Sequence, residues 1–393
     1  MKNAIVSFDN TEVAFASKSD ADLKRAYWLF RIIGINWLVR ISPPFVNAAL
    51  ALRLPIKGLI KATAFRHFCG GESIDDCVVT IGRLTDYHIG TILDYSVEGK
   101  ETEADFEHSL EETISSIEHA KADHRIPFSV FKVTGFARMA LLEKVNAKAS
   151  LSVAETEEFA RVKARVLRIC QAASDSGVPI YIDAEETWIQ DVIDDLAMEM
   201  MQRFNQEGVL IYNTLQLYRT DRLAFLKKSH EHASQHNYML GVKLVRGAYM
   251  EKERKRAAEE GRPSPIQPDK ASCDRDYNDA LRFSFEHIGR IAICVGTHNE
   301  NSSLLVTELM QQKNLPHNHP HVWFSQLLGM SDHISYNLSR LGYNVTKYVP
   351  YGPVASVLPY LIRRAQENTS VAGQTSRELG LIMQELRRRK SSK

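Results

Sequence analysis

Hydrophobic positions change their period at about residue 85 of this 393-residue chain. Before that point apolar residues recur in helical fashion, as in Tyr27-Trp28-Leu29-Phe30 and Ile32-Ile33, and strand-like runs are scarce. Beyond it, short β-branched or aromatic runs alternate with longer stretches of helical period. The runs predict strands near Ile89–Tyr95, Phe128–Thr134, Val178–Asp183, Val209–Gln216, Met239–Arg246, Ile291–Thr297, Val322–Leu327 and Val345–Pro350. Ser152–Ser174, Trp188–Phe204 and Asp274–Ile288 are among the predicted helices. Eight strands alternating with helices predict a parallel sheet, most economically a distorted (β/α)8 barrel over 86–370. A helical segment, 1–85, precedes it and a helical tail, 371–393, follows.

The last strand runs into Gly352-Pro353 and a helical pattern in which Tyr360, Arg363, Arg364 and Glu367 share one face. The stripe Leu358, Leu361, Ile362 and Ala365 is expected to pack on a core. Pro359 predicts a kink or a restart of that helix. Two guanidiniums beside a phenol suit a small carboxylate held against an aromatic wall, whereas a solvated face with an Arg–Glu pair is the plain alternative. In a barrel, strand C-terminal ends line the catalytic mouth. Lys132, Asp183, Gln216, Lys243, Arg246, Thr297, His298 and Tyr348 all fall at or near such ends.

Composition changes this picture little. Lys and Arg total 49 against 48 Asp and Glu, a formal net charge of +1, so no basic surface announces nucleic acid. Five scattered cysteines without CxxC fit a reducing compartment. Met1 to Phe15 has neither a signal-peptide nor a transit-peptide pattern, and the apolar stretch 26–56 is too interrupted to span a bilayer. A bacterial cytoplasm is the simplest address. Peripheral attachment to the inner membrane stays open, as does the mitochondrial matrix side for a eukaryotic source.

Several segments carry a family resemblance. They are Gly90-Thr91-Ile92-Leu93-Asp94-Tyr95-Ser96-Val97-Glu98-Gly99, Ile182-Asp183-Ala184-Glu185-Glu186, Leu244-Val245-Arg246-Gly247-Ala248-Tyr249, Thr297-His298-Asn299-Glu300, Gln326-Leu327-Leu328-Gly329-Met330 and Lys347-Tyr348-Val349-Pro350-Tyr351-Gly352-Pro353. In this order the chain resembles the proline dehydrogenase family, in its monofunctional, mitochondrial-type branch, over about 85–370. The resemblance implies FAD at the barrel mouth and oxidation of L-proline to pyrroline-5-carboxylate. It also implies a membrane quinone as electron acceptor and a separate pyrroline-5-carboxylate dehydrogenase downstream. Carried over position by position, Arg363, Arg364 and Lys132 would clamp the substrate carboxylate, with Glu367 and Asp183 balancing their charge. Tyr348, Tyr360 and Leu327 would wall the ring. Gln216 and Lys243 would touch the flavin ring system, and Asp183 and Lys243 would form the catalytic centre. Ala184, Arg246, Gly247, Ala248, Tyr249, Thr297, His298 and Asn299 would hold the rest of the cofactor. At Lys243 the bifunctional bacterial branch has arginine, so the planar fork is lost here.

Other features have plainer readings. His317, His319 and His321 read as a solvated loop and no metal site is expected. Asp75-Asp76 reads as a helix start and Arg387-Arg388-Arg389-Lys390 as a frayed end. Arg31, Arg40 and Arg53 among Trp28, Trp37 and Phe45 suit packing on the barrel better than a membrane-facing surface. Two rival functions remain: a hydroxyproline dehydrogenase, in which a small residue replaces the tyrosine matching Tyr348, and a proline-binding barrel without turnover.

Overall fold

The structure, a computed structural model, describes residues 6–34, 56–96, 101–370 and 374–392. Its eight strands are β1 (Ile89–Tyr95), β2 (Ser129–Lys132), β3 (Ile180–Asp183), β4 (Ile211–Gln216), β5 (Leu240–Val245), β6 (Ile291–Gly296), β7 (Val322–Leu327) and β8 (Val345–Tyr351). They form one sheet in the order β1-β8-β7-β6-β5-β4-β3-β2, and a parallel bridge between Ile92 and Phe128 links its two ends. With a helix following each strand this is the (β/α)8 barrel expected from the alternating pattern. β1 and β7 begin and end where the sequence placed them.

Contacts divide the chain into two compact units: Met1–Thr91, Tyr95–Glu98 and Gln326–Lys393 in one, Ile92–Asp94 and Gly99–Ser325 in the other. The second unit holds most of the ring. Its floor is aromatic: Phe128 stacks on Tyr181 at 4.7 Å and meets Tyr212 and Trp323 edge-on. Register then places polar residues one step nearer the strand ends, Lys132 beside Asp183 and Thr214 beside Lys243. Helix ends follow local signals. Ser152 closes a capping box with Glu155 at the start of Val153–Ser176, and Gly177 ends that helix in the left-handed region.

The first unit is built from both ends of the chain. Leu23, Ala26 and Phe30 of the helix Asp20–Ile33 pack with Leu381 and Ile382 of the helix Gln374–Ser391. Ser73 caps the helix Ile74–Thr85, as the paired aspartates suggested. Among the described residues no helix is long and apolar enough to cross a membrane.

Several expectations need correction. The segment at Phe128 leaves the strand after Lys132 for a single 3-10 turn, because the Thr134 N–H and hydroxyl both bind Glu185. Pro359 does not restart the helix Val354–Ser370, which is one element with the proline on its exposed side. That helix does not divide into apolar and polar faces as drawn: Tyr360 is buried in a core cluster with Val357 and Leu361, whereas Ile362 is half-exposed. The arginine-rich end is docked, not frayed. Arg389 donates to the carbonyls of Phe15 and Lys18 and pairs with Asp20 and the buried Glu385. The N-terminal aromatic face is also split, since Phe30 and Ile33 are buried while Trp28 is 58% and Ile32 54% exposed. Trp37, Arg40, Phe45 and Arg53 lie outside the described residues.

Candidate active site

At the strand ends of the second unit, four charged side chains from four strands meet. The Lys132 ammonium lies 3.5 Å from Asp183 Oδ2 and 3.6 Å from Asp94 Oδ1. Lys243 donates to Asp183 Oδ1, and its ammonium sits 5.1 Å above the Tyr181 ring. The Thr214 hydroxyl approaches the same carboxylate oxygen at 3.5 Å. Asp94, Asp183 and Lys243 are buried, whereas the Lys132 side chain keeps 19% exposure. Two cations and two anions balance, so none of these charges is buried without a partner, which would cost several kcal/mol. Lys132 is the member of the cluster that can still reach a solute.

Hydrogen bonds to Thr134 and Gln190 fix the loop after β3. Glu185 accepts from Thr134 N–H at 3.0 Å and from the Thr134 hydroxyl, and its own N–H donates to Gln190 Oε1 at 2.8 Å. Burial, reinforced by the neighbouring Glu186, raises the Glu185 carboxyl to about 7. Gln216, at the end of β4, donates to the Glu185 carbonyl at 2.6 Å, and its Oε1 faces the Ala248 N–H at 3.4 Å. Ala184 is buried at the start of the same loop.

Arg246 follows β5 at the same rim. Arg246 donates to Asp274 at 2.8 Å, to the Thr297 hydroxyl at 2.6 Å and to the Ser302 hydroxyl at 3.0 Å, and it lies 4.3 Å over the Tyr277 ring. Thr297 also accepts the Asn299 N–H at 3.1 Å, and Asn299 caps the helix Glu300–Gln312. Residues 246–250 and His298 are half-buried, and Tyr249 stands at the N-terminal boundary of the helix Met250–Glu259. Gly247 has φ 137°, and a Cβ there would come within 2.2 Å of the Tyr218 ring, so only glycine lets the loop run this close. Accessible backbone, an anchored guanidinium and a buried ammonium form a donor set that fits an anionic dinucleotide with a planar ring.

The remaining predicted residues belong to the first unit. Leu327 ends β7 half-buried and packs on the cluster that contains Tyr360. Tyr348 is buried on β8. Arg364 is buried with its guanidinium 5.3 Å over the Tyr360 ring, and Arg363 is half-exposed one residue before it. The Glu367 side chain lies outside the described residues. His321 Nδ1 donates to the Ile288 carbonyl at 2.9 Å, and the His321 backbone N–H donates to His319 Nδ1. Among the described residues no three or more His, Cys, Asp or Glu come together as a metal-ligand set.

Sequence reasoning quoted Asp94 and Glu185 within longer segments but assigned neither a place in the site. It also passed over Thr214, Asp274 and Ser302. The signal for Asp94 was there, a single acid near the end of an otherwise apolar strand, which a barrel interior rarely holds without a cation.

A profile described as proline dehydrogenase matches residues 77–377. The chain belongs to the proline dehydrogenase family. It is 32% identical to proline dehydrogenase 1, mitochondrial, of Dictyostelium discoideum, over 97% of this chain and 74% of that one. It is 36% identical to the carbapenem antibiotics biosynthesis protein CarD of Pectobacterium carotovorum, over 82% of this chain and 83% of that one. A hydroxyproline dehydrogenase of Xenopus laevis is 31% identical over 95% and 88%. Among solved structures, proline utilization A (PutA) from Bdellovibrio bacteriovorus, inactivated by N-propargylglycine, matches with a TM-score of 0.72 at 19% identity. That match covers 95% of this chain and 40% of the larger protein, and it speaks for the fold alone.

Proposed function

We propose that the protein oxidises L-proline to pyrroline-5-carboxylate, using FAD and delivering the electrons to a membrane quinone. A separate dehydrogenase then consumes the product. The observation that carries the reading is the family match across the whole barrel. FAD, when bound, accepts hydride from the ring carbon next to nitrogen. The rest of the work falls to the chain's own side chains.

Arg363 and Arg364 bind the substrate carboxylate, and the aromatic support under Arg364 limits its freedom before substrate arrives. Tyr348, Tyr360 and Leu327 exclude water from the ring's apolar edge. Asp183, shared by Lys132 and Lys243, holds two ammonium groups in fixed positions instead of leaving them to repel each other. Lys243 places positive charge where reduction adds negative charge, and Arg246, Gly247, Ala248, Tyr249, Thr297, His298 and Asn299 hold the phosphate and ribose side. The ring amine must be neutral before hydride leaves, so turnover should rise with pH until the bound amine has lost its proton.

Anaerobic titration with L-proline tests the assignment: a yellow protein should bleach stoichiometrically. Absence of flavin, or a flavin that proline leaves oxidised, would overturn it. Arg364→Ala should raise KM for proline roughly tenfold to hundredfold, the loss of one charge-assisted contact, with flavin retained.

Similarity to a hydroxyproline dehydrogenase makes substrate choice a real question. Tyr348 fills the place where a hydroxyl on the fourth ring carbon would need room, which favours proline. The expected discrimination is about tenfold to two-hundredfold in kcat/KM. Tyr348→Ser should shrink that ratio; equal use of both substrates by the wild type would refute the argument.

A further inference from the structure

Lys347 stands beside Tyr348 on β8, and alternation along a strand sends the two side chains to opposite faces. The Lys347 side chain is 0% exposed. Its three donors are all used: Asp332 Oδ1 at 2.8 Å, the Met330 carbonyl at 2.5 Å and the Leu327 carbonyl at 3.3 Å. Asp332 is in turn held by Lys18 at 3.1 Å. Burial lowers the lysine below its ordinary range against the pull of Asp332. Burial alone would raise the aspartate, but Lys18 and Lys347 outweigh it and hold the carboxyl well below the usual range.

The two carbonyls belong to the turn from Leu327 to Ser331, which is tied peptide by peptide. The Leu328 N–H donates to the Tyr348 carbonyl at 2.9 Å. The Gly329 carbonyl meets His67 Nε2 at 2.8 Å. The Ser331 N–H donates to the buried Glu378. Gly329 and Ser331 both sit at positive φ, 76° and 50°, which costs the glycine nothing but is a disfavoured conformation for the serine that its bonds help to hold.

We propose that Lys347 is a positioning residue for substrate binding. Its ammonium grips the turn from the side opposite Tyr348 and so sets the height of Leu327, the apolar wall of the substrate's ring. The inference rests on the reading of Leu327 as that wall.

A mutant cycle separates this role from plain stabilisation. Lys347→Met should raise KM for L-proline roughly tenfold with little change in kcat, since a small displacement of a packed wall weakens binding more than chemistry. In a Leu327→Ala background the same change should add nothing to KM, because the group it positions is gone. Amide exchange at residues 327–331 should quicken in Lys347→Met and not at the amides of β8. Lys347→Met/Asp332→Asn, which removes the buried charge left behind, should regain Tm while KM stays high. An unchanged KM, effects that add in the Leu327→Ala background, or a KM that recovers together with Tm would each overturn the proposal. A wild type that does not oxidise proline would refute the substrate reading instead, and the exchange measurement would still report on the turn.

Discussion

Each unit of this protein contains a buried lysine on a strand, paired with an aspartate that a second lysine also contacts. In one, Lys243 and Lys132 share Asp183, with Asp94 completing the set. In the other, Lys347 and Lys18 share Asp332. The residue types are the same and the surroundings differ. Lys132 keeps part of its surface open and its neighbours are carboxylates, so a substrate anion can compete for it. Lys347 spends its other donors on backbone carbonyls and is closed to any solute. What a buried lysine donates to, more than the fact of its burial, separates a cation that meets a solute from one that positions the chain.

The sharpest way to break this comparison is to neutralise the two aspartates in turn. Asp183→Asn should lower kcat/KM for proline roughly hundredfold, because it releases the cations that organise the site. Asp332→Asn should act mainly on stability, costing about 3–5 kcal/mol by leaving a buried ammonium poorly compensated. Steady-state kinetics and urea unfolding of both variants decide it. Were Asp332→Asn the more damaging to turnover in fully folded protein, the distinction would collapse.

A smaller effect concerns pH, and the two units should respond in opposite senses. In the second unit Glu185 rises from 4.5 to about 7, so the native state holds the extra proton. Its stability contribution is intact below pH 4.5 and is lost as pH climbs through 7, at most ~3 kcal/mol. In the first unit burial lowers His67 from 6.5 to about 4. Its contribution is intact above pH 6.5 and is lost as pH falls through 4, again at most ~3 kcal/mol. Glu185→Gln should therefore flatten the alkaline limb of the stability curve and His67→Gln the acid limb. Unfolding measured at pH 5, 6 and 8 checks both signs.

Most of the barrel was legible because β-branched runs of strand length and amphipathic helices leave different periods in the sequence. Placing Lys132, Asp183, Gln216 and Lys243 at strand ends followed directly from those boundaries. What escaped was whatever depends on a partner far along the chain. The burial of Tyr360 needs Val357 and Phe65, and the docking of Arg389 needs Phe15 and Lys18. Neither can be inferred from the local pattern, which shows a phenol and four basic residues on surfaces that ought to be wet. The helix is not restarted at Pro359 for a related reason: packing of Val357, Tyr360 and Leu361 holds it as one element where local propensity would interrupt it.

The composition of the first unit also sets an order of assembly during synthesis. Residues 92–325 of the ring form a unit almost entirely from one continuous stretch and can condense as soon as they emerge. Ser331 waits for Glu378, and Phe15 waits for Arg389. The helix Asp20–Ile33 precedes its partner Gln374–Ser391 along the chain, so it stays without that partner until the ring between them has been translated. Leu23, Ala26 and Phe30 are apolar surface for all of that interval, which makes this segment the natural client for a chaperone and the place where slow or truncated synthesis would do most harm.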